Sequence, residues 1–270
     1  MMRSMFAAIS GLKVHQVMLD VSANDIANVN TLGYKGSRTT FKDALNQVQR
    51  GASGSTANLG GTNASQVGLG VQMNSIDTLV QAGAIQSTGN TFDLAIQGDG
   101  WFRVTDDPTG FSRIYYTRAG SFSRDVNGDL VTPEGYYLVG STGAGANTKI
   151  TVPATVDSVN VGQNGDVITV TGGTPTTVAT IRLAKFPNDA GLSRISGNKF
   201  QESNNSGAAA VSVPGSAGAG LITPGAVEMS NVDLAAEFTD MVIAQRGFQA
   251  NSRIITAADQ MLQELVNLTR

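Results

Sequence analysis

The sequence predicts an α+β protein: N- and C-terminal helices that pair as a coiled coil, with a mainly antiparallel β domain between them. Three observations carry that reading. Apolar residues recur at helical spacing at both ends, turn signals divide the middle into short strand-like runs, and Gly- and Ser-rich stretches separate the two kinds of pattern.

At the N-terminus Met2, Met5, Ile9, Leu12, Gln16, Leu19, Ala23 and Ile26 alternate at spacings of three and four, a heptad seam broken only by Gln16. This helix is expected to stop near Ala27, because Asn28, Asn30 and Gly33 tolerate or readily adopt left-handed backbone. At the C-terminus Leu234, Phe238, Met241, Gln245, Phe248, Ser252, Ile255, Asp259, Leu262 and Val266 form a less perfect seam. A second stripe runs through Ala244, Gly247, Asn251, Ile254, Ala258, Met261, Leu265 and Leu268. Ser230 or Asn231 is the expected N-cap, with Asp233 in the first turn favouring the helix dipole. A helix over 232–268 would be roughly 55 Å long at about 1.5 Å per residue. A compact chain of this length has a radius of gyration of about 18 Å. The second stripe is expected to stay exposed after the helices pair, and apolar surface of that extent marks an interaction face.

Between the helices, Phe41 to Arg50 is expected as a short helix and Gly51 to Gly70 as a long loop. From about Val71 to Phe200 the signals are strand and turn. Leu94–Gln97 and Trp101–Val104 flank Gly98-Asp99-Gly100 and read as a hairpin. Asn127-Gly128 and Asn164-Gly165 each separate two strand-like runs and are type I′ turn candidates. The expected organisation is a terminal helical assembly domain at 1–36 and 226–270, a partly extended Gly/Ser-rich connection at 37–90, an antiparallel β domain at 91–202 and a flexible linker at 203–225.

Composition narrows the function. Charged residues make up 14% of the chain, against roughly 25% in typical soluble domains. A surface that avoids charge is often one that meets protein. The net charge of -3 and pI near 5.1 leave no footprint for nucleic acid. The absence of cysteine removes disulfides and thiolate chemistry. No apolar run approaches the roughly 20 residues needed to span a bilayer, so no membrane insertion is expected. The apolar start around Met5-Phe6-Ala7-Ala8-Ile9 is interrupted by Lys13 and His15, so it reads as a mature helix and not a cleaved signal.

No residue pattern supports catalysis, a metal or a cofactor. His15 is the only histidine and is expected at a solvated helix position. Asp125-Val126-Asn127-Gly128-Asp129 has its glycine two positions too early for a calcium loop, with Tyr136 where a bidentate Glu is required, so a hairpin turn is expected. Gly68-Leu69-Gly70 and Gly98-Asp99-Gly100 lack the helix that would cradle phosphate. Asp93 and Asp99 are weighed as a carboxylate pair and set aside. Trp101, Phe102, Tyr115, Tyr116, Tyr136 and Tyr137 are read as core and cross-strand pairs before any sugar-binding surface.

Four segments then carry a resemblance. Ser22-Ala23-Asn24-Asp25-Ile26-Ala27-Asn28-Val29-Asn30-Thr31-Leu32-Gly33-Tyr34-Lys35 is similar to the Asn-rich signature of the bacterial flagellar rod and hook proteins. So are Phe92–Phe102, Tyr116–Phe122, and Ser230–Leu234 together with Gln245-Arg246-Gly247-Phe248-Gln249-Ala250-Asn251. Asn24, Asn28, Asn30, Gly33, Asn231, Asp233, Gln245, Arg246 and Asn251 are the motif residues. Within the family, Glu228–Leu234, Leu262–Leu268 and Gly61–Gly70 look most like the hook subunit of the short Gram-positive type.

The resemblance implies a helical homopolymer in which paired terminal helices line an inner tube and the β domain forms the outer layer. It implies adjoining rod and hook-filament junction proteins, a hook cap and the export apparatus as partners. It implies a place in the basal body or hook, outside the cell after export without a cleaved signal. The expected function is the hook, a flexible joint transmitting torque, with Gly-rich joints near 51–70 and 203–220 allowing movement. The distal rod, a rigid drive shaft, is the second reading. A secreted carbohydrate or cell-surface binding domain is the third.

Overall fold

The computed structural model describes residues 2–55, 60–142, 145–153 and 155–268, so positions 56–59 of the expected loop at 51–70 lie outside the described residues. The chain folds as two compact units. Unit 1 comprises Met1–Ala27, Ser37–Thr78 and Asp233–Arg270, and unit 2 comprises Asn28–Gly36 and Leu79–Val232.

In unit 1, α1 (Met2–Ala27) packs along α2 (Leu234–Leu268). Their contact is built from small residues. Ala8, Gly11, Ala244 and Ala258 are buried. A β-carbon on Gly11 would lie 2.6 Å from Asn251 Nδ2, and one on Gly247 would lie 2.5 Å from His15 Nε2. The helices therefore pair as expected, but the stripe expected to stay exposed supplies Ala244, Gly247, Asn251 and Ala258 to the contact. Close backbone approach favours small side chains at the seam and pushes large ones to its flanks. The C-terminal helix is capped by Asp233, whose Oδ1 accepts from Ala235 N–H at 2.9 Å, in place of the expected Ser230 or Asn231.

Another side of α1 meets strands. β1 (Ser37–Asp43) pairs antiparallel with β4 (Val71–Thr78), with a register shift after Thr40. Asp25 Oδ2 accepts from Ser37 N–H at 2.7 Å, and Ser10 Oγ accepts from Val71 N–H at 3.2 Å. Between β1 and β4, β2 (Asn46–Arg50) and β3 (Ser65–Gly68) form an exposed hairpin. No helix forms over 41–50. Phe41, Lys42 and Asp43 pair instead with Met73, Gln72 and Val71, and tertiary pairing overrides a weak local helix preference.

Unit 2 is antiparallel β. Its strands are β5 (Ile85–Ser87), β6 (Leu94–Gln97), β7 (Phe102–Thr105), β8 (Ile114–Thr117), β9 (Ser123–Arg124), β10 (Leu130–Val131) and β11 (Tyr137–Thr142). They continue with β12 (Ala146–Lys149), β13 (Ser158–Val161), β14 (Asp166–Thr171), β15 (Thr174–Ile181), β16 (Leu183–Lys185) and β17 (Ser193–Ile195). The last four are β18 (Lys199–Gln201), β19 (Ala210–Ser212), β20 (Leu221–Pro224) and β21 (Ala226–Glu228). The main sheet runs β13-β14-β15-β11-β7-β8-β18-β17. Leu94, Ile96, Phe102, Val104, Phe122, Leu138 and Ile181 centre one core, and Trp101, Tyr116, Phe186 and Phe200 a second.

Two turn readings need correction. β6 pairs with β20 and β7 pairs with β8 and β11, so no 94–104 hairpin exists; Gly98 and Gly100 redirect the chain between partners far apart in sequence. The β9–β10 and β13–β14 hairpins do form, but not through type I′ turns. Only Gly128 (φ 86°) and Gly165 (φ 83°) take positive φ, not Asn127 or Asn164. Each loop closes with two matching bonds, Asp125 N–H to Asp129 O and Gly128 N–H to Asp125 O in the first. This is a type I turn followed by a left-handed glycine.

Candidate functional site

A buried polar cluster of unit 2 joins four segments distant in sequence. Lys35 and Glu228 are fully buried, 2.5 Å apart between Nζ and Oε1. Arg118 Nη1 reaches the other carboxylate oxygen at 3.1 Å, and Gly83 N–H donates to Oε1 at 2.9 Å. Lys35 Nζ also donates to Gln81 O at 2.7 Å, while Arg118 Nη2 donates to Gly98 O at 2.9 Å and its guanidinium lies over the Trp101 ring. Burial pulls the Lys35 ammonium below its ordinary value, and the Glu228 charge opposes that pull. Two acceptors, Glu228 Oε1 and Gln81 O, stand around the Lys35 nitrogen.

The backbone around this cluster is fixed too. Gly33 N–H donates to Glu228 O at 2.8 Å. Gly33 has φ 63°, and a β-carbon there would sit 2.4 Å from Ala119 N, so both conformation and space require glycine. Asn231 Oδ1 accepts from Gly36 N–H at 2.8 Å, and its Nδ2 donates to Leu79 O and Gln81 O at 2.8 and 3.1 Å. Arg194 donates to Lys35 O and stacks on the Tyr34 ring. A buried ion cluster adds little net stability over an apolar one, but losing one member leaves an uncompensated charge. Such a cluster sets register. Here it fastens the residues following α1 to those preceding α2.

The second feature is the helix pair. Met5, Leu12, Leu19, Ile26, Met241, Ile255 and Leu262 are half-buried, whereas Ile9, Leu234, Phe238, Phe248 and Val266 are exposed. Phe6, Val242, Ile243 and Leu265 are exposed as well. Among the motif residues, Asn24, Asn30, Gln245 and Arg246 face solvent. Asn28 is half-buried and its Oδ1 accepts from Thr31 Oγ1 at 3.1 Å, while Asn251 fills the space over Gly11. His15 is not solvated as expected. It is half-buried against Gly247 with its ring edge toward Phe41, and its Nδ1 is buried without a partner.

Lys35, Arg118 and Glu228 were not singled out from sequence, although each lies in a segment that carries the resemblance. A lysine, an arginine and a glutamate 193 residues apart at the extremes carry no periodic signal; the available clue was charge inside otherwise apolar or glycine-rich runs of a charge-poor chain. Asp93 and Asp99 take structural positions. Asp93 accepts from Thr88 and Asn90 side chains, and exposed Asp99 pairs with Lys185 at 3.4 Å. Among the described residues, no cluster of three metal-ligating side chains occurs, and no helix is long and apolar enough to cross a membrane.

An antiparallel β region flanked by paired terminal helices, with its strongest polar cluster spent on joining distant segments, defines a structural protein. Comparison with known proteins makes the class specific. The model of the "Flagella basal body rod protein" family matches residues 5–35, that of the "Flagellar hook protein FlgE/F/G D1 domain" matches 95–169, and that of the "Flagellar basal body rod FlgEFG protein C-terminal" matches 223–268. The flagellar basal-body rod protein FlgG of Bacillus subtilis (strain 168) is 48% identical over 273 aligned residues, covering 100% of both chains. That of Agrobacterium fabrum is 35% identical, covering 96% of this chain and 97% of its own. The flagellar hook protein FlgE of Borreliella burgdorferi is 27% identical over a 444-residue alignment, covering 99% of this chain and 100% of its own. A solved structure of Helicobacter pylori flagellar hook protein FlgE2 aligns with 29% of this chain and 26% of its own, at a TM-score of 0.24 and 26% identity.

The chain belongs to the flagellar basal-body rod and hook family, FlgE/F/G. It is a structural protein of the flagellar basal-body rod, not an enzyme. The expectation of a hook subunit is corrected by these identities. Rod proteins match end to end without a large insertion, whereas the hook protein matches at lower identity across a far longer alignment. Two of the three segments read as hook-like, Glu228–Leu234 and Leu262–Leu268, lie where the model for rod and hook C-termini alike matches, so they could not separate the two.

Proposed function

We propose that this chain is the distal rod subunit, which stacks helically into a stiff tubular shaft carrying motor torque toward the hook. The observation that carries the reading is the full-length 48% identity to a basal-body rod protein. The exposed apolar residues of α1 and α2 support assembly through the helices: Phe6, Phe238, Val242 and Leu265 have surface to bury against other copies. The Lys35–Glu228–Arg118 cluster supports stiffness, because it holds the segments next to both helices in one register.

The direct partners of a distal rod subunit are further copies of itself, the adjoining rod and hook subunits, and the export apparatus. Hook-filament junction proteins and the hook cap accompanied the hook reading and lie beyond these neighbours. The terminal helical segments, 1–36 and 226–270, are the proposed assembly domain. Electron microscopy of basal bodies from cells lacking the chain tests the reading. Rods that stop short and carry no hook are expected. A complete rod, with or without a hook, would overturn it.

A further inference from the structure

One face of the main sheet gathers two arginines and a serine with buried donor atoms that find no partner among the described residues. β7 approaches β16 through an antiparallel bridge between Trp101 and Ala184, whose backbones exchange bonds of 2.8 and 3.0 Å. Two residues from that bridge on each segment, Arg103 and Arg182 fall on the side of Trp101 and Ala184 by period-two alternation, and the charge of Arg182 acts on Arg103. Ser141 shares that side. It pairs with Thr180, two residues before Arg182, and across its other edge with Asn147. Asn147 Oδ1 in turn accepts from Arg103 Nη2 at 2.8 Å.

Neither arginine has a carboxylate partner in any ion pair among the described residues. Arg103 and Ser141 are 97% or more buried, yet Arg103 Nε and Ser141 Oγ have no partner among the described residues. Arg182 Nε is also buried without a partner, and none of the described residues accepts a hydrogen bond from this side chain. The nearby Glu202 carboxylate is occupied by the Tyr116 hydroxyl at 2.5 Å. Burial lowers the Arg103 guanidinium from its ordinary value; Tyr116 and Glu202 oppose that shift and the charge of Arg182 adds to it. Buried donors are paired in the great majority of native structures, and two neighbouring guanidinium groups repel unless an anion lies between them.

We propose that Arg103, Arg182 and Ser141 form a binding site for an oxyanion of the carboxylate or phosphate class. Guanidinium forks present paired N–H groups that match the two oxygens of such a group, and the serine hydroxyl supplies a further donor. Arg182 is half-buried, whereas Arg103 and Ser141 are buried, so an anion would reach the group from the Arg182 side. The inference rests on the β region alone and does not depend on the rod assignment.

Nitrogen-detected spectra of the arginine Nε–H groups in the full chain, titrated with inorganic phosphate against chloride at equal ionic strength, test the site. The Arg103 and Arg182 signals are expected to move together along one saturating curve with phosphate only. Arg182→Gln is expected to weaken phosphate binding about tenfold, the worth of a charge-assisted hydrogen bond. Ser141→Ala removes a donor without touching charge, and a several-fold weakening by it carries the same test if Arg182→Gln does not fold. Equal responses to chloride, no saturation, or unchanged binding in a folded variant would overturn the site and leave ordinary hydration of these groups. The source of the anion follows from assembly. Polymerisation slowed by phosphate in the parent chain but not in the variants identifies a carboxylate of a second copy; polymerisation indifferent to phosphate identifies a small free oxyanion.

Discussion

In unit 2, Leu94, Ile96, Phe102, Val104 and Leu138 are buried, and the charges of Lys35, Arg118 and Glu228 are matched inside the fold. Along the helices of unit 1 the order is reversed, with Ala8, Gly11, Ala244 and Ala258 in the contact and Phe6, Phe238, Val242 and Leu265 in solvent. The contrast separates two ways of being stable. A β region that buries its large apolar side chains closes its own core within one chain. A helix pair that spends its small residues on one partner and keeps its large ones outside has apolar surface left to bury, which is what the proposed assembly would cover.

The strongest way to break this contrast is to remove the central carboxylate of unit 2. Glu228→Gln leaves two buried cations without their counter-charge, and a loss of about 3–5 kcal/mol in unfolding free energy is expected. Chemical denaturation measures it, and a double-mutant cycle with Lys35→Met isolates the pair. A loss below about 1 kcal/mol would mean that the cluster sets nothing.

Unit 1 should respond in the opposite way. Phe238→Ser alters an exposed side chain, so chain stability is expected to stay within about 0.5 kcal/mol. The critical concentration for polymerisation should rise at least tenfold, because a buried Phe in the assembled interface is worth about 1.5–3 kcal/mol. Sedimentation across a concentration series reads both states. Loss of monomer stability without a shift in assembly would reverse the assignment of this face.

Two smaller effects sharpen the comparison. Gly33→Ala forces a side chain into left-handed backbone and against Ala119 N, so unit 2 should lose more than about 1 kcal/mol in thermal unfolding. A change near zero would show that the turn yields. In unit 1, burial raises the Glu237 carboxyl above its ordinary value; Ser22 opposes the shift and Asp25, Asp240 and Asp233 add to it. The raised folded value means that folding favours the protonated form. The resulting stabilisation is fully present below the ordinary 4.5 and is lost as pH rises through the folded value. Denaturation at a series of pH values should therefore show a decline in that window, and Glu237→Gln should flatten it.

Much of the fold was legible because it is periodic or punctuated. Both terminal helices follow from three-and-four spacing, and the 125–129 and 162–166 turns follow from Asn-Gly. The face of α2 that meets α1 was misread because hydrophobicity weights Phe238 and Phe248 above Ala244 and Gly247, while close packing selects the smaller pair. Strand β6 was paired with its neighbour instead of β20 because local turn signals say nothing about partners as far apart in sequence as Leu94 and Pro224. The Lys35–Glu228–Arg118 cluster was illegible for the same reason, since its three charges meet only after the chain has closed. The hook reading leaned on Glu228–Leu234 and Leu262–Leu268, which lie in a C-terminal region that rod and hook proteins share.

Hydrogen exchange of the full chain, first dilute and then assembled, tests the central claim most directly. In the dilute chain, amides of β6, β7, β8 and β11 should be protected while those of α1 and α2 exchange quickly, and assembly should protect both helices. Helices as strongly protected in the dilute chain as the β strands, with no change on assembly, would contradict the account.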